Sequence, residues 1–250
     1  MRKDGALYTD IHSHVIWGVD DGAETEEETR RMLREAAADR IGTIIATPHI
    51  TPGIHPFPTQ RFAEHLQAAR EYIAREGLQI DLYPGSEIYY TEHTPRMLRE
   101  GRVPTLAGSS YVLVEFDPDA PLPFIIQALQ NVSSAGFRPV LAHAERCMHI
   151  RSTDEVRTVR ETGRALIQIN AGTLIRKAPL LRRRYLAGLF REGLADLIAT
   201  DTHAFPGRET HMTQAMERLK NDYGTLLHET VLTNAKRIIG QAKPETTTNL

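Results

Sequence analysis

The chain has 250 residues, 41% of them hydrophobic and 25% charged, which supplies the apolar side chains of one large domain with its own core. A formal net charge of −2 excludes a general binder of nucleic acid or anionic membrane, which needs a concentrated basic surface, and leaves open only a local basic patch. No run approaches the roughly 18 apolar residues of a membrane span, the stretch from Met1 to Gly5 lacks the apolar segment of a signal peptide, and the single Cys147 excludes an internal disulfide, so a cytoplasmic protein without membrane insertion is expected.

Short β-rich runs alternate with longer amphipathic stretches, the signature of a parallel β/α fold. The first run, ALYTDIH, ends at His12 and leads into His14 and the DDG of Asp20, Asp21 and Gly22. Thr25 and Glu28 form a capping box ahead of Met32, Leu33, Ala36, Ala37 and Ile41, which predicts a helix carrying all five. The next runs are TIIATPH ending at His49, IDLYPGSE at Glu87, YVLVEF near Glu115, RPVLAH at His143, ALIQIN at Asn170 and ADLIATDTH at Asp201 and His203. A helix with Met212, Ala215, Met216, Leu219 and Tyr223 on one face is predicted to stop at Gly224, its methionines serving the core. No repeat or linker divides the chain, so residues 1–250 are expected to form one domain, with residues 1–7 as an extension and a flexible tail over 243–250.

Seven strand runs alternating with helices in this length predict an α/β closed barrel whose site gathers at the C-terminal ends of the strands. An open doubly wound sheet is disfavoured, because neither G-x-G-x-x-G nor G-x-x-x-x-G-K-[ST] occurs. Residues i and i+2 of a strand share a face, so His12 points with His14 and Asp201 with His203. If the strand ends converge, His12, His14, one of Asp20 and Asp21, His49, Glu87, Glu115, His143, Asp201 and His203 make five imidazoles and four carboxylates, too many for one ion. Their nitrogen and oxygen donors, with no thiolate, suit two or three divalent ions, manganese ahead of iron, zinc or magnesium. One histidine at a strand end is as readily a satisfied core residue. A whole shell is not, because buried unpaired carboxylates are costly without a cation. The other histidines, His55, His65, His93, His149, His211 and His228, are read as surface residues, with His55 in HITPGIHPFP as a candidate for the mouth; Asn170 either holds a loop or touches substrate.

These residues resemble the polymerase and histidinol phosphatase superfamily: HSH followed by DDG, then TPH, a strand-end Glu, a second acidic residue, AHAER and DTH. Within it, DIHSHVIWGVDDGA, IIATPHI, GSEIYY, YVLVEF, VLAHAERC and IATDTHAFPGR are similar to the bacterial manganese-dependent tyrosine-protein phosphatases of capsular polysaccharide loci, over Tyr8 to Gly240. The resemblance implies a distorted (β/α)7 barrel. It also implies one metal held by His12, His14, Glu87 and Asp201, a second by Glu87, Glu115 and His143, and a third by Asp21, His49 and His203, which selects Asp21 over Asp20. Arg146 and Arg208 are implied as phosphate clamps, and the substrate as a phosphotyrosyl protein, the tail of a bacterial tyrosine autokinase controlling polysaccharide synthesis or export.

In such chemistry the cations activate water and the arginines orient the phosphoryl group. A tyrosyl phenolate, whose conjugate acid has a pKa of about 10, leaves with little help, for which His203 or Asp201 is the candidate acid. Cys147 lacks the C-x5-R spacing of thiol-dependent phosphatases. The alternatives are a small-molecule phosphatase of the histidinol-phosphate type or a phosphodiesterase, a non-catalytic metal-binding module, and an amidohydrolase. The third is disfavoured by the complete ligand set, the last by the lack of a bridging lysine after a middle strand.

Overall fold

The computed structural model describes residues 7–204 and 208–241; all of the expected N-terminal extension but Leu7, and the expected tail, lie outside them. Nine strand segments are present: β1 Tyr8–Ser13, β2 Ile41–Ala46, β3 His49–Ile50, β4 Asp81–Pro84, β5 Glu87–Tyr89, β6 Tyr111–Glu115, β7 Arg138–Leu141, β8 Leu166–Asn170 and β9 Leu197–Ala199. The helices are α1 Glu26–Ala38, α2 Thr59–Glu76, α3 Thr94–Arg99, α4 Leu122–Ser134, α5 Thr153–Thr162, α6 Ala171–Ile175, α7 Leu180–Arg191, α8 Met212–Tyr223 and α9 Thr225–Ile239. The seven predicted runs are all found, but the second and third are each broken in two, at Thr47-Pro48 and, just after Pro84, at Gly85-Ser86, where the regular ladder stops.

All pairings are parallel, in the orders β1-β2-β4 and β3-β5-β6-β7-β8-β9. The Glu87 amide donates to Pro48 O (3.0 Å) and the Thr47 amide to Ser13 O (2.9 Å), carrying the first sheet into the second. At the other seam the Asp201 amide donates to His12 O (2.9 Å), the His14 amide to Thr202 O (3.0 Å), and Asp10 accepts from Thr200 N (2.9 Å) and Thr200 Oγ1 (2.6 Å). The seven runs therefore follow one another round a distorted (β/α)7 barrel, as expected.

Alternation divides each strand between two apolar layers. Ile11, Ile45, Leu113, Val140, Leu197 and Ala199 fill the barrel floor, where Ala235 and Ile238 of α9 join them. Val112, Val114, Leu141, Ile167 and Ile198 face the other way and pack under the helices. The Thr25–Glu28 capping box forms, but α1 stops at Ala38 and Arg40 takes a positive φ, so Ile41 opens β2 rather than closing the helix. Met212 and Met216 are buried core residues and α8 ends at Gly224 as predicted, whereas Tyr223 is only half-buried. Among the described residues no helix is long and apolar enough to cross a membrane.

Candidate metal centre

The register of β1 slips between Asp10 and Ser13, so Ile11 packs in the floor while His12 and His14 both reach the barrel mouth. His12 Nδ1 meets Gln168 Oε1 at 3.2 Å and His14 Nδ1 meets Asp20 Oδ2 at 2.6 Å. The amide of His143 donates to the same Gln168 oxygen (2.7 Å), which fixes the orientation of that carboxamide. Both acceptors require a proton on Nδ1, and so both rings turn Nε2 to the interior. The two Nε2 atoms stand 3.2 Å apart, at 3.0 and 3.2 Å from Glu87 Oε2 and at 3.5 and 3.6 Å from Asp201 Oδ1. Donor atoms of these four buried residues lie within 4.8 Å of one another.

Glu87 extends the cluster. His143 Nε2 lies 2.9 Å from Glu87 Oε1 and 3.3 Å from Glu115 Oε1. His49 presents Nδ1 to Glu87 Oε2 (3.2 Å) and Glu115 Oε2 (3.4 Å) and Nε2 to Asp21 Oδ1 (3.4 Å), which stands 3.5 Å from His203 Nε2. The His14 and His203 rings stack with centroids 4.1 Å apart. All nine side chains of the predicted shell thus meet, in overlapping groups. Of the two adjacent aspartates, Asp21 joins the cluster, while Asp20 accepts from His14 Nδ1, Gly22 N and His49 N. Gly22 is required here: a Cβ would lie 2.2 Å from His14 O, so only glycine lets this loop settle on β1.

Two site residues carry left-handed backbone, His143 (φ 29°) and Asp201 (φ 52°), strain of the kind that concentrates at functional sites. Val140 and Ala142 belong to the floor layer, so plain alternation would send His143 outward; the left-handed turn after β7 brings its ring to Glu87 instead.

The electrostatics call for positive charge. Burial raises the Glu87 carboxyl, but His12, His14 and His143 outweigh it and hold it well below the usual range. Burial likewise opposes ionisation of Asp201, and His12, Arg146 and His14 overcome it. Burial resists protonation of His143, yet Glu115 and Glu87 raise it to about 10, and Asp20 and Glu87 similarly raise His14. Apart from Arg146 and Arg208 at Asp201, the protein sets only imidazoles against these carboxylates. Glu87 Oε2, buried and without a properly oriented hydrogen bond, faces three imidazole nitrogens. Such nitrogen and oxygen donors fit divalent cations.

Arg146 Nη2 (2.6 Å), Arg208 Nη1 (2.5 Å) and Asn170 Nδ2 (2.7 Å) all donate to Asp201 Oδ2, which leaves Oδ1 for the cluster. The Arg146 amide donates to His143 O (2.7 Å), and the Arg208 carbonyl accepts from Thr202 Oγ1 (2.6 Å), so the backbone of both arginines is tied to the segments that carry His143 and Asp201. Asn170, left open by sequence, receives Gln168 Nε2 (2.7 Å) and passes the orientation on to Asp201. Sequence reasoning missed Gln168 and the role of Asp20; the alternation in QIN, which puts residues 168 and 170 on one face, was the available signal for the former. Burial, then Glu145 and Glu115, push the Cys147 thiol up to about 12, which denies it a nucleophile's role.

Of the remaining histidines, His55 and His149 are exposed. His55 lines a cavity of ≈ 300 Å³ with Asp21, His49, Ile50 and Phe57, at the mouth as anticipated. His65, His93, His211 and His228 are half-buried rather than on the surface. His65 stacks on Trp17 at 3.9 Å and meets its carbonyl at 2.8 Å, so the indole draws it inward.

Residues 8–240 match the family described as capsular polysaccharide synthesis, CpsB/CapC. The chain is 30% identical over 238 residues to tyrosine-protein phosphatase CpsB of Streptococcus pneumoniae, covering 92% of this chain and 97% of that protein. It is 26% identical over 230 residues to tyrosine-protein phosphatase YwqE of Bacillus subtilis (strain 168), covering 92% and 91%. A crystal structure from work on YwqE of Bacillus subtilis and CpsB of Streptococcus pneumoniae, described there as unique metal-dependent tyrosine phosphatases, superposes with a TM-score of 0.84 at 28% identity, covering 94% of this chain and 95% of that one.

Proposed function

The chain belongs to the CpsB/CapC family, and from that premise we propose that it is a metal-dependent protein tyrosine phosphatase hydrolysing aryl phosphate monoesters. The observation that carries the reading is Asp201, with one oxygen toward His12 and His14 and the other under Arg146 and Arg208. It joins a cation-binding cluster to a pair of forked donors suited to a phosphoryl group.

His12, His14, Glu87 and Asp201 would hold one ion, Glu87, Glu115 and His143 a second, and Asp21, His49 and His203 a third; two or three ions are proposed, manganese first. Bound divalent cations supply the Lewis acidity that makes water nucleophilic near neutral pH and spread the charge of the phosphoryl oxygens. Arg146 and Arg208 exchange their bonds to Asp201 for bonds to those oxygens and hold the group for in-line attack. With only the first two ions bound, His203, with Asp201 beside it, is proposed as the acid that supports the departing phenolate. Ile50 and Phe57, beside Asp21 and His49, offer an aromatic ring an apolar wall. The proposed natural substrate is the phosphorylated tail of a bacterial tyrosine kinase in polysaccharide synthesis or export, and the proposed location is cytoplasmic, which the lone thiol of Cys147 supports.

Metal analysis combined with turnover of a phosphotyrosyl peptide, a phosphoseryl peptide, histidinol phosphate and a phosphodiester tests the reading. Preference for the aryl ester, abolished by chelation and restored by manganese, is expected. A preference for histidinol phosphate or the diester would move the protein to the alternative activities.

A further inference from the structure

A second cleft, of ≈ 250 Å³, opens beside the site and is lined by Arg146, Asn170 and Arg208 on one side and by Arg176 and Lys177 of the segment joining α6 to α7 and Arg182 of α7 on the other. Five cationic side chains thus line the cleft with one carboxylate, Glu209, Arg146 and Arg208 also bonding Asp201, in a chain whose net charge is −2. Several surface arginines elsewhere pair with acids: Arg30 with Glu26, Arg31 with Glu35, Arg157 with Asp154 and Glu192, Arg218 with Asp222. Lys177 and Arg182, by contrast, are exposed and make no ion pair among the described residues.

Like charges gathered in one cleft repel one another, and a concave basic wall concentrates anions. Resting on the phosphatase reading, we infer that this cleft binds a second anionic group of the phosphotyrosyl polypeptide, an acidic side chain or another phosphate close to the target residue, and so selects acidic or multiply phosphorylated segments. Arg146 and Arg208 hold the reacting phosphoryl group, while Lys177 and Arg182 attract the flank. A concave cleft continuous with the reaction site suits an extended peptide; a membrane surface needs a flat or convex basic face.

The test uses the manganese-loaded enzyme with four substrates: phosphotyrosyl peptides of equal length flanked by glutamates, by a second phosphotyrosine or by serine and glycine, and p-nitrophenyl phosphate. At low salt the anionic peptides are expected to exceed the neutral one in kcat/KM by roughly tenfold, mostly through KM, with the advantage shrinking as salt is added. In the doubly substituted Lys177→Ala, Arg182→Ala enzyme, checked for native circular dichroism, the ratio of anionic to neutral peptide is expected to fall about three- to tenfold, and Arg182→Glu to lower it further. A gain confined to the doubly phosphorylated peptide assigns the cleft to phosphate; a gain for both assigns it to negative charge generally. Equal rates on all three peptides, a ratio insensitive to both variants, or loss in the variants only of binding to anionic phospholipid vesicles would overturn the inference. Failure to hydrolyse any of the four substrates would instead overturn the phosphatase reading, and this proposal with it.

Discussion

The inner and outer parts of the cluster use the same kinds of side chain in different surroundings. His12, His14, Glu87 and Asp201 are buried on or next to strands, each tied by the ladder or by Gln168, Asp20 and Asn170. Asp21, in the outer part, projects from a loop with its side chain 65% exposed, against 1% for Glu87. Charge attraction strengthens as water is excluded, and second contacts fix donor geometry. On the proposed reading, the inner group retains a cation, and the outer group exchanges one and meets the substrate.

The comparison is tested most severely at Glu87, which touches His12, His14, His49 and His143. Breaking a buried charged network costs about 3–5 kcal/mol, so Glu87→Gln is expected to lower kcat/KM by about 10²–10⁴-fold and to reduce metal content, measured by elemental analysis. An equal loss from Asp21→Asn would erase the distinction. Arg146→Ala is expected to lower kcat by about 10²–10³-fold, the usual loss for a charge-stabilising donor, at unchanged metal content. Unchanged turnover would return Arg146 to a surface ion-pair role.

Asp21→Asn is expected to raise the manganese concentration for half-maximal activity about tenfold, with turnover recovered in excess metal. A titration that failed to recover would place Asp21 among the inner ligands in function. In chelated protein the buried His143 and the exposed Asp21 respond to opposite pH limits. His143 is raised to about 10 by Glu115 and Glu87 against burial, so its stabilisation is complete below the ordinary value of about 6.5 and is lost as pH rises through about 10. Asp21 is lowered to about 2 by its hydrogen bond to His203, with burial opposing and His49 helping, so its contribution is present above about 3.9 and is lost as pH falls through about 2. Thermal melts of the chelated chain should therefore decline at both ends, and manganese should abolish the alkaline decline. The smallest effect belongs to Cys147→Ser, for which turnover of the loaded enzyme is expected to stay within about twofold; a large loss at intact metal content would revive thiol chemistry.

Much of this was legible before any coordinates, because strand ends are marked by a change of residue type: ALYTDIH, YVLVEF and ADLIATDTH run from apolar floor to acid or imidazole within one strand. What alternation does not encode stayed hidden. The left-handed turn at His143 depends on a hydrogen bond from its amide to Gln168 on the next strand. Asp20 and Asp21 have the same chemistry, and only the path of the loop across His14 separates their contacts. Ile41 fits the helical period of α1, but Arg40 ends the helix first. The basic cleft joins Arg176, Lys177 and Arg182 to Arg146 and Arg208, residues too far apart in the chain for any spacing to announce it.

The clasp of Asp10 on Thr200 has a temporal consequence. It joins residues 190 apart in the chain, and the imidazoles of the first strand meet the last carboxylate only when that seam is made. A nascent polypeptide still lacking its ninth strand has no complete inner ion-binding set. Catalytic competence therefore arrives in one late step, and a chain cut short before that strand is inert rather than partly active.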